Sequence, residues 1–370
     1  MYNTTGGARS QGMKIGIDIS QIIYETGVSW YTKKLVENLL QNDRENEYIL
    51  FGGSLRRLND LRAKSSSFHG NYATKFFPIA PTLLDFIWNR LHLLNVESLI
   101  GDVDVVHSSD WSQPPTKAFK VTTIHDLWPI KFPELSHPRI VSAHNARLYW
   151  VRREVDRIIA PSQATRDDLI ELGFEKEKIR VIYEGPHIEK KFTDKAFVED
   201  IKKQLKISGD YILAVGISER KNTKNIIKAF DLSKAGKDLT LVLVGRAQIK
   251  LESQRGVRSV GAVSDRILEA LYSGAQALIY PSLYEGFGLP ILDAFVSECP
   301  VVTSNTSSMK EIAKDAATLV DTKSVESIAE GIKYALTHKQ TLIKKGLSRA
   351  KSFSWQKAAI QTLDVYNESS

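Results

Sequence analysis

Short apolar runs that end in a small or polar residue recur along this chain, each followed by an amphipathic stretch, and the whole series occurs twice. In the first half the runs are "KIGIDI", "YILFG", "DVVHSS", "VTTIHDL", "RIIAPS" and "IRVIYEG". In the second they are "YILAVG", "LTLVLVG", "ALIYPS", "VVTSN" and "ATLVD". Near-continuous apolar runs suit strands covered on both faces, and their alternation with helical stretches predicts α/β architecture with parallel sheets. Most runs end in glycine, serine, histidine or aspartate, which matters because such sheets bind ligands beyond the carboxyl ends of their strands. Two Rossmann-like domains in series are expected, with the ligand in the cleft between them.

At 370 residues the chain is long enough for two cores. We divide it into a loose tail over 1–12, a first domain over 13–186, a linker over 187–204, a second domain over 205–352 and a final helix over 353–370. Phe353, Trp355, Ala359 and Leu363 share one face of that helix; its return to the first domain is left open. The opening "MYNTTGGARSQG" lacks the apolar centre of a signal peptide. No uncharged apolar run is long enough to span a bilayer. The single cysteine, Cys299, has no partner for an intramolecular disulfide and suits a reducing compartment. A cytoplasmic protein is expected, with at most a peripheral contact at the inner face of a membrane. The formal charge of +7 fits nucleic acid, anionic lipid or a phosphorylated small ligand. Nucleic acid is set aside, because the basic residues are dispersed and no recognition module is visible.

The stretch "YPSLYEGFGLPILDAF", Tyr280 to Phe295, carries the most chemistry. It reads as a strand, a glycine turn and a helix with Pro290 in its first turn, where a missing N–H costs nothing. The backbone amides of Phe287, Gly288 and Leu289 then stand free at a helix N-terminus, a site suited to phosphate. Gly286 and Gly288 permit close backbone approach, and Glu285 and Asp293 stand on either side as acceptors for sugar hydroxyls. In "LAVGISERKNTKNIIKAF", Gly216 ends a strand and Arg220 and Lys221 follow in the loop, where two cations can neutralise a diphosphate. "SVGAVSDRILEALYSGA" offers small residues on which a flat base could lie. In the first half, Gly27 and Val28 open a helix after the first strand. His125 and Asp126 end a hydrophobic strand facing the expected cleft. His107 stands at another strand end, as a structural or an acceptor-lining residue. Ser162 fits a helix cap better than a nucleophile. Trp88, Arg90, Trp150, Arg152 and Arg153 could form an aromatic and basic surface, or charged outer faces of packed helices.

These segments resemble the retaining glycosyltransferases of family four, which have the GT-B fold, and the resemblance runs from Met13 over nearly the whole chain. The family's motif of two glutamates with seven residues between them appears as Glu285 and Asp293. "VGISERKN" is similar to its glycine-to-Arg-Lys loop, "GAVSDRILEALYSGA" to its base-binding segment, and "SSMKEIAKDAATLVD" to the stretch beyond the two acids, with Lys310 where proline is common. The resemblance implies that Glu285 and His125 hold the transferred sugar and that Arg220, Lys221 and the amides of Phe287, Gly288 and Leu289 hold the diphosphate. It further implies that Gly27 and Val28 close on the diphosphate from across the cleft, that Val263 lines the base pocket, and that Asp293 takes the ribose hydroxyls. Asp293 departs from the family by one methylene. "HDLWP" and its surroundings resemble mannosyltransferases that use GDP-mannose. The implied enzyme transfers a hexosyl group with retention from GDP-mannose or a UDP-sugar to a glycan or lipid-linked saccharide in cell-surface polysaccharide assembly. The implied donor is a substrate and no cofactor is expected. No metal-ligand spacing is present, so transfer without a metal is expected. Two other readings stay open, a catalytically silent subunit that binds a partner glycosyltransferase and a sugar-nucleotide epimerase.

Overall fold

The structure, a computed structural model, describes residues 12–188, 192, 194–233 and 239–369. The first eleven residues of the expected tail, and 189–191 and 193 of the expected linker, lie outside the described residues. The first sheet contains β1 (Lys14–Asp18), β2 (Glu47–Gly53), β3 (Tyr72–Phe77), β4 (Val105–Ser108), β5 (Phe119–Thr123), β6 (Arg157–Ala160) and β7 (Ile179–Val181). They pair in the order β3-β2-β1-β4-β5-β6-β7, all parallel, with Ile15 opposite Tyr48 on one side and Val105 on the other. The second sheet contains β8 (Asp210–Ile217), β9 (Leu239–Ala247), β10 (Val257–Gly261), β11 (Leu278–Tyr280), β12 (Val301–Ser304) and β13 (Thr318–Val320), in the order β10-β9-β8-β11-β12-β13 and again parallel.

Consecutive residues Ile49, Leu50 and Phe51 of β2 are all buried, so helices cover both faces of the sheet, as the unbroken apolar runs predict. Two strands lack that signature. β3, "YATKFF", exposes Ala73, Thr74 and Lys75, and β10, "VRSVG", is only half buried. Each is a sheet edge, where water replaces one set of neighbours and lysine discourages further pairing.

The helix Lys195–Gln204 lies within the stretch read as a linker. Asp194 caps it, accepting from the Phe197 amide at 2.9 Å, and Ile201 joins Tyr211 and Leu271 in the second domain's core. The last helix, Trp355–Asn367, packs in the first domain's core beside the helix Gly27–Asn42. Trp355 lies edge-on to Tyr31 at 5.7 Å and its indole donates to the Pro186 carbonyl at 2.8 Å. Gly185 makes this crossing feasible, since a Cβ there would lie 2.6 Å from the Trp355 backbone. The Tyr366 hydroxyl meets His107 Nδ1 at 2.7 Å, deep inside the same domain.

Further bonds fix the two sheets against each other. Ser162 and Thr165 donate to the Gly286 carbonyl at 2.6 and 3.1 Å. The amides of Gln163 and Ala164, at the start of the helix Gln163–Glu171, donate to the Glu311 carboxylate at 2.9 and 3.1 Å, a cap supplied from the other domain. Because Trp355 fills the space where the chain returns, Trp355→Ala should lower unfolding stability by about 3–5 kcal/mol. That loss would be read as a shift of the urea midpoint, and Trp355→Phe should recover most of it.

Candidate functional site

The carboxyl ends of both sheets face a cleft of about 830 Å³. On the second-domain side, Glu285 follows β11 and precedes the helix Leu289–Val296. The Ser307 and Ser308 hydroxyls donate to its carbonyl at 3.0 and 2.8 Å, which fixes the turn. Gly288, with φ of +106°, starts the helix in a left-handed conformation that favours glycine. The first amides of a helix have no partner in its ladder, so this end presents donors and positive potential to the cleft. Phe287, Gly288, Leu289 and Asp293 all line it.

The loop after β8 brings up the cations. Asn222 is held in a left-handed conformation, its amide donating to the carbonyls of Pro281 and Thr322 at 3.2 and 2.8 Å. Lys221 folds back over Gly216, where a Cβ would stand 2.8 Å from its side chain; this is the service Gly216 performs, and it does not itself line the cleft. Lys221 Nζ donates to Glu285 Oε1 and to the Tyr280 hydroxyl, both at 2.6 Å. Arg220 Nη2 donates to Glu285 Oε2 at 2.8 Å and, across the domain gap, to Asp126 Oδ2 at 2.9 Å. Arg220 Nε donates to the Tyr284 carbonyl at 3.0 Å.

These contacts set the charges. Burial works against ionisation of Glu285, but Arg220 and Lys221 outweigh it and hold the carboxyl down at about 2. Burial lowers Lys221, partly offset by Glu285 and reinforced by Arg220. Arg220 is raised: burial opposes its charge, and Asp126 and Glu285 overcome the opposition.

On the first-domain side, His125 follows β5. It lies edge-on to Tyr31 at 4.4 Å and its Nδ1 is 3.6 Å from Glu184. Burial disfavours the imidazolium, but Glu184, with Asp110 and Asp126 nearby, raises the ring above the ordinary histidine value. The two domains touch tightly here. A Cβ on Gly286 would stand 1.7 Å from the His125 carbonyl oxygen, so only glycine fits between Glu285 and Phe287. Gly27 and Val28 line the same cleft from the start of the helix Gly27–Asn42, which Thr26 and Ser29 cap reciprocally.

Asp293 is 3% exposed, and its Oδ1 accepts from the backbone amides of His187 and Ile188 at 2.8 and 3.0 Å. Burial pushes its carboxyl up to about 7 against those two amides, with Glu269 and Asp265 adding to the rise. His187 in turn packs against Trp30 of the first domain, ring centres 3.9 Å apart. Val263 packs against the second domain's core and is not among the cleft-lining residues. His107 is a core residue: it bonds Tyr366 and Thr123, and burial, with His125 and Arg147 nearby, pushes it down to about 3. Ser162 caps its helix, its Oγ accepting from the Thr165 amide at 3.0 Å. Trp88 and Trp150 serve packing rather than a surface array: Trp88 is buried and Trp150 stacks on His92 at 3.6 Å. The sequence reading did not single out Glu184, His187 or Trp30. Glu184 had a signal, standing after β7 in "VIYEG" as Glu285 stands after β11.

Among the described residues, no helix is long and apolar enough to cross a membrane, and no three histidine, cysteine or acidic side chains are grouped to hold a metal ion. Two family models match the chain, Glycosyltransferase Family 4 over residues 26–190 and Glycosyl transferases group 1 over residues 196–349. O-antigen chain mannosyltransferase B of Escherichia coli is 28% identical over 381 residues, covering 96% of this chain and 99% of the relative. O-antigen chain mannosyltransferase RfbU of Salmonella typhimurium is 27% identical over 222 residues, covering 57% of this chain and 59% of the relative. Among solved structures, Anabaena HepE in complex with UDP-glucose superposes with a TM-score of 0.69 at 17% identity, covering 96% of this chain and 100% of that chain; this likeness bears on the fold alone. Two parallel-sheet domains, each matched by a glycosyltransferase model, place the chain in the glycosyltransferases of family four with the GT-B fold.

Proposed function

We propose that the protein transfers a hexosyl group, mannosyl in the first instance, from a nucleotide diphosphate sugar to a glycan or lipid-linked saccharide, with retention at the anomeric carbon and without a metal. The observation that carries this reading is the meeting of Arg220, Lys221 and Glu285 at the start of the helix Leu289–Val296, opposite His125. Breaking the anomeric C–O bond leaves negative charge on the departing diphosphate. Two fixed cations and a helix end stabilise that charge without reorganising at the moment of reaction. Glu285, ionised at any physiological pH, accepts from hydroxyls of the transferred sugar, and His125 holds the sugar from the other domain. The acceptor oxygen bonds the anomeric carbon on the face the phosphate leaves, and its proton passes to the departing phosphate oxygen. The names of the two O-antigen mannosyltransferases favour mannosyl and an acceptor in cell-surface polysaccharide assembly; the proposed donor is therefore GDP-mannose ahead of a UDP-sugar, and the proposed place of transfer the inner face of a membrane.

Glu285→Gln keeps the shape and removes the charge. Turnover of the donor, followed as nucleotide release from GDP-mannose and UDP-glucose, should fall about 100-fold, while thermal stabilisation by GDP or UDP persists. Binding of nucleotide with no donor turnover by the unmodified protein would instead favour a silent binding subunit, and product epimers without nucleotide release an epimerase.

Asp293 gives a pH signature. Its raised carboxyl binds a proton more tightly in the folded than in the unfolded chain. The stability it contributes is therefore present below its ordinary value near 4 and lost as pH rises toward 7. Ribose hydroxyls donate to the ionised form, so nucleotide affinity should strengthen as pH rises through 7 and level off above it. Asp293→Asn should flatten both trends, measured as calorimetric affinity and melting temperature across pH 5 to 8.5 (a range of about 3.5 units, wide enough to bracket the titration). An unchanged slope in the variant would remove Asp293 from nucleotide binding.

A further inference from the structure

His125 reaches the cleft from the end of β5, and its ring is held on two sides. Nδ1 lies 3.6 Å from Glu184 Oε1, at ion-pair distance. Tyr31 meets the ring edge-on at 4.4 Å, and the Tyr31 hydroxyl shares a hydrogen bond of 3.1 Å with Thr123, so turning the ring would displace a packed side chain. Glu184 is 4% exposed, yet it lines the cleft together with His125. The chain that follows it is pinned. Gly185 is pressed against Trp355, the Pro186 carbonyl accepts from the Trp355 indole at 2.8 Å, and the His187 amide donates to Asp293 at 2.8 Å. A buried carboxylate on a fixed segment is costly to keep without a cation to face.

We propose that Glu184 is a positioning residue for the transfer: it holds His125 by Nδ1 as an imidazolium, so that Nε2 offers a charge-assisted N–H to a hydroxyl of the transferred sugar. This role rests on the transferase activity proposed above and goes beyond it by naming what sets the state of His125. Positive charge develops on the sugar as the anomeric bond breaks, and an unpaired imidazolium would oppose it. Beside Glu184 the ring keeps its strong donor while the pair carries no net charge. The proton stays on the ring, and the leaving phosphate still receives the acceptor's proton.

The other groups around the ring agree with this pairing. Burial opposes the imidazolium, but Glu184, Asp110 and Asp126 outweigh it and raise the ring above the ordinary histidine value. His107 and Tyr31 add no charge, since burial, with His125 and Arg147 nearby, pushes the first down to about 3, and burial raises the second. Asp110 is shared with Arg147 at 3.6 Å, and Asp126 is taken by Arg220 at 2.9 Å. Opposite, Arg220 and Lys221 meet Glu285. That leaves Glu184, among the described residues, as the acid engaged by His125 and by no other cation.

The test follows the ring nitrogens of isotope-labelled histidine in the full chain by NMR, from about pH 5 to about pH 9, a span on both sides of the ordinary histidine value. Loss of one signal in His125→Gln assigns the ring. In the unmodified protein His125 should keep both ring protons at pH values where an exposed histidine has lost one. Glu184→Gln keeps the shape and removes the charge, and should lower the His125 midpoint by about one pH unit, a tenfold loss of proton affinity. Turnover of GDP-mannose or UDP-glucose by that variant, followed as nucleotide release, should fall about tenfold at alkaline pH and recover as the pH is lowered. Thermal stabilisation by GDP or UDP should be unchanged, and Glu184→Asp should retain part of the alkaline activity. Recovery in acid is the signature that a merely structural role would not give. A His125 midpoint at or below the ordinary value in the unmodified protein overturns the role, whatever the variants do. A midpoint unmoved by Glu184→Gln, or a loss of turnover that acid does not recover, overturns it as well and leaves the transferase reading in place. Absence of donor turnover by the unmodified protein, with the midpoint still moved by Glu184→Gln, would count against the transferase reading alone and support the pairing.

Discussion

One guanidinium ties the two domains together at the point where chemistry would occur. Arg220 bonds Asp126 in the first domain and Glu285 and the Tyr284 carbonyl in the second, and it lies over the Trp128 ring at 5.5 Å. Buried charges persist only when paired, and removing one partner costs far more than the pair contributes. Here two cations, Arg220 and Lys221, meet two carboxylates, Glu285 and Asp126, so the cluster is neutral as it stands. On the proposed function, an arriving diphosphate adds negative charge that the same two cations meet together with the start of the helix Leu289–Val296. It therefore competes with Asp126 and Glu285 for Arg220, and whatever draws Arg220 from Asp126 also releases an interdomain bond. On the proposed function, donor capture and domain position would share a residue, and Gly286, wedged against the His125 carbonyl, leaves little slack between the domains.

The parts of this arrangement that were legible in the sequence are those that sheet physics forces into local pattern. Strands covered on both faces must be apolar throughout, so the interior strands announce themselves. Their ends must leave the core, so Gly216, His125 and Glu285 stand where the run stops. Two of the four edge strands, β3 and β10, escape this logic, because an edge needs cover on fewer sides and these two carry polar residues in place of an unbroken apolar run. The helix Lys195–Gln204 escaped for a related reason: its outer face is charged and a narrow apolar stripe, Phe197 and Ile201, anchors it. Partnerships across domains leave no local trace at all. Asp126 was visible as a strand-end acid, but that Arg220, ninety-four positions away, would take it is decided by how the sheets face each other. Val263, in the segment similar to a base-binding stretch, is partly buried and packs against the second domain's core.

Asp293 shows how a one-methylene difference can acquire a consequence. Its helix points toward the cleft, yet its Oδ1 is taken by the amides of His187 and Ile188, where the chain crosses between domains. A glutamate would carry the carboxylate farther from the helix axis, whereas aspartate keeps it within reach of those amides. His187 then packs on Trp30, two residues beyond Val28 at the opposite wall of the cleft. A nucleotide hydroxyl that reached Asp293 would meet a carboxylate already engaged in fixing the crossing. The same carboxylate is uncomfortable as an anion, desolvated and facing Asp265 and Glu269. Two backbone donors do not suffice to hold its charge, so further donors on that oxygen pair are favourable to the ionised form. The family's second acid would then act here on the nucleotide and on the interdomain crossing together, a dual duty that follows from side-chain length rather than from any change in the fold.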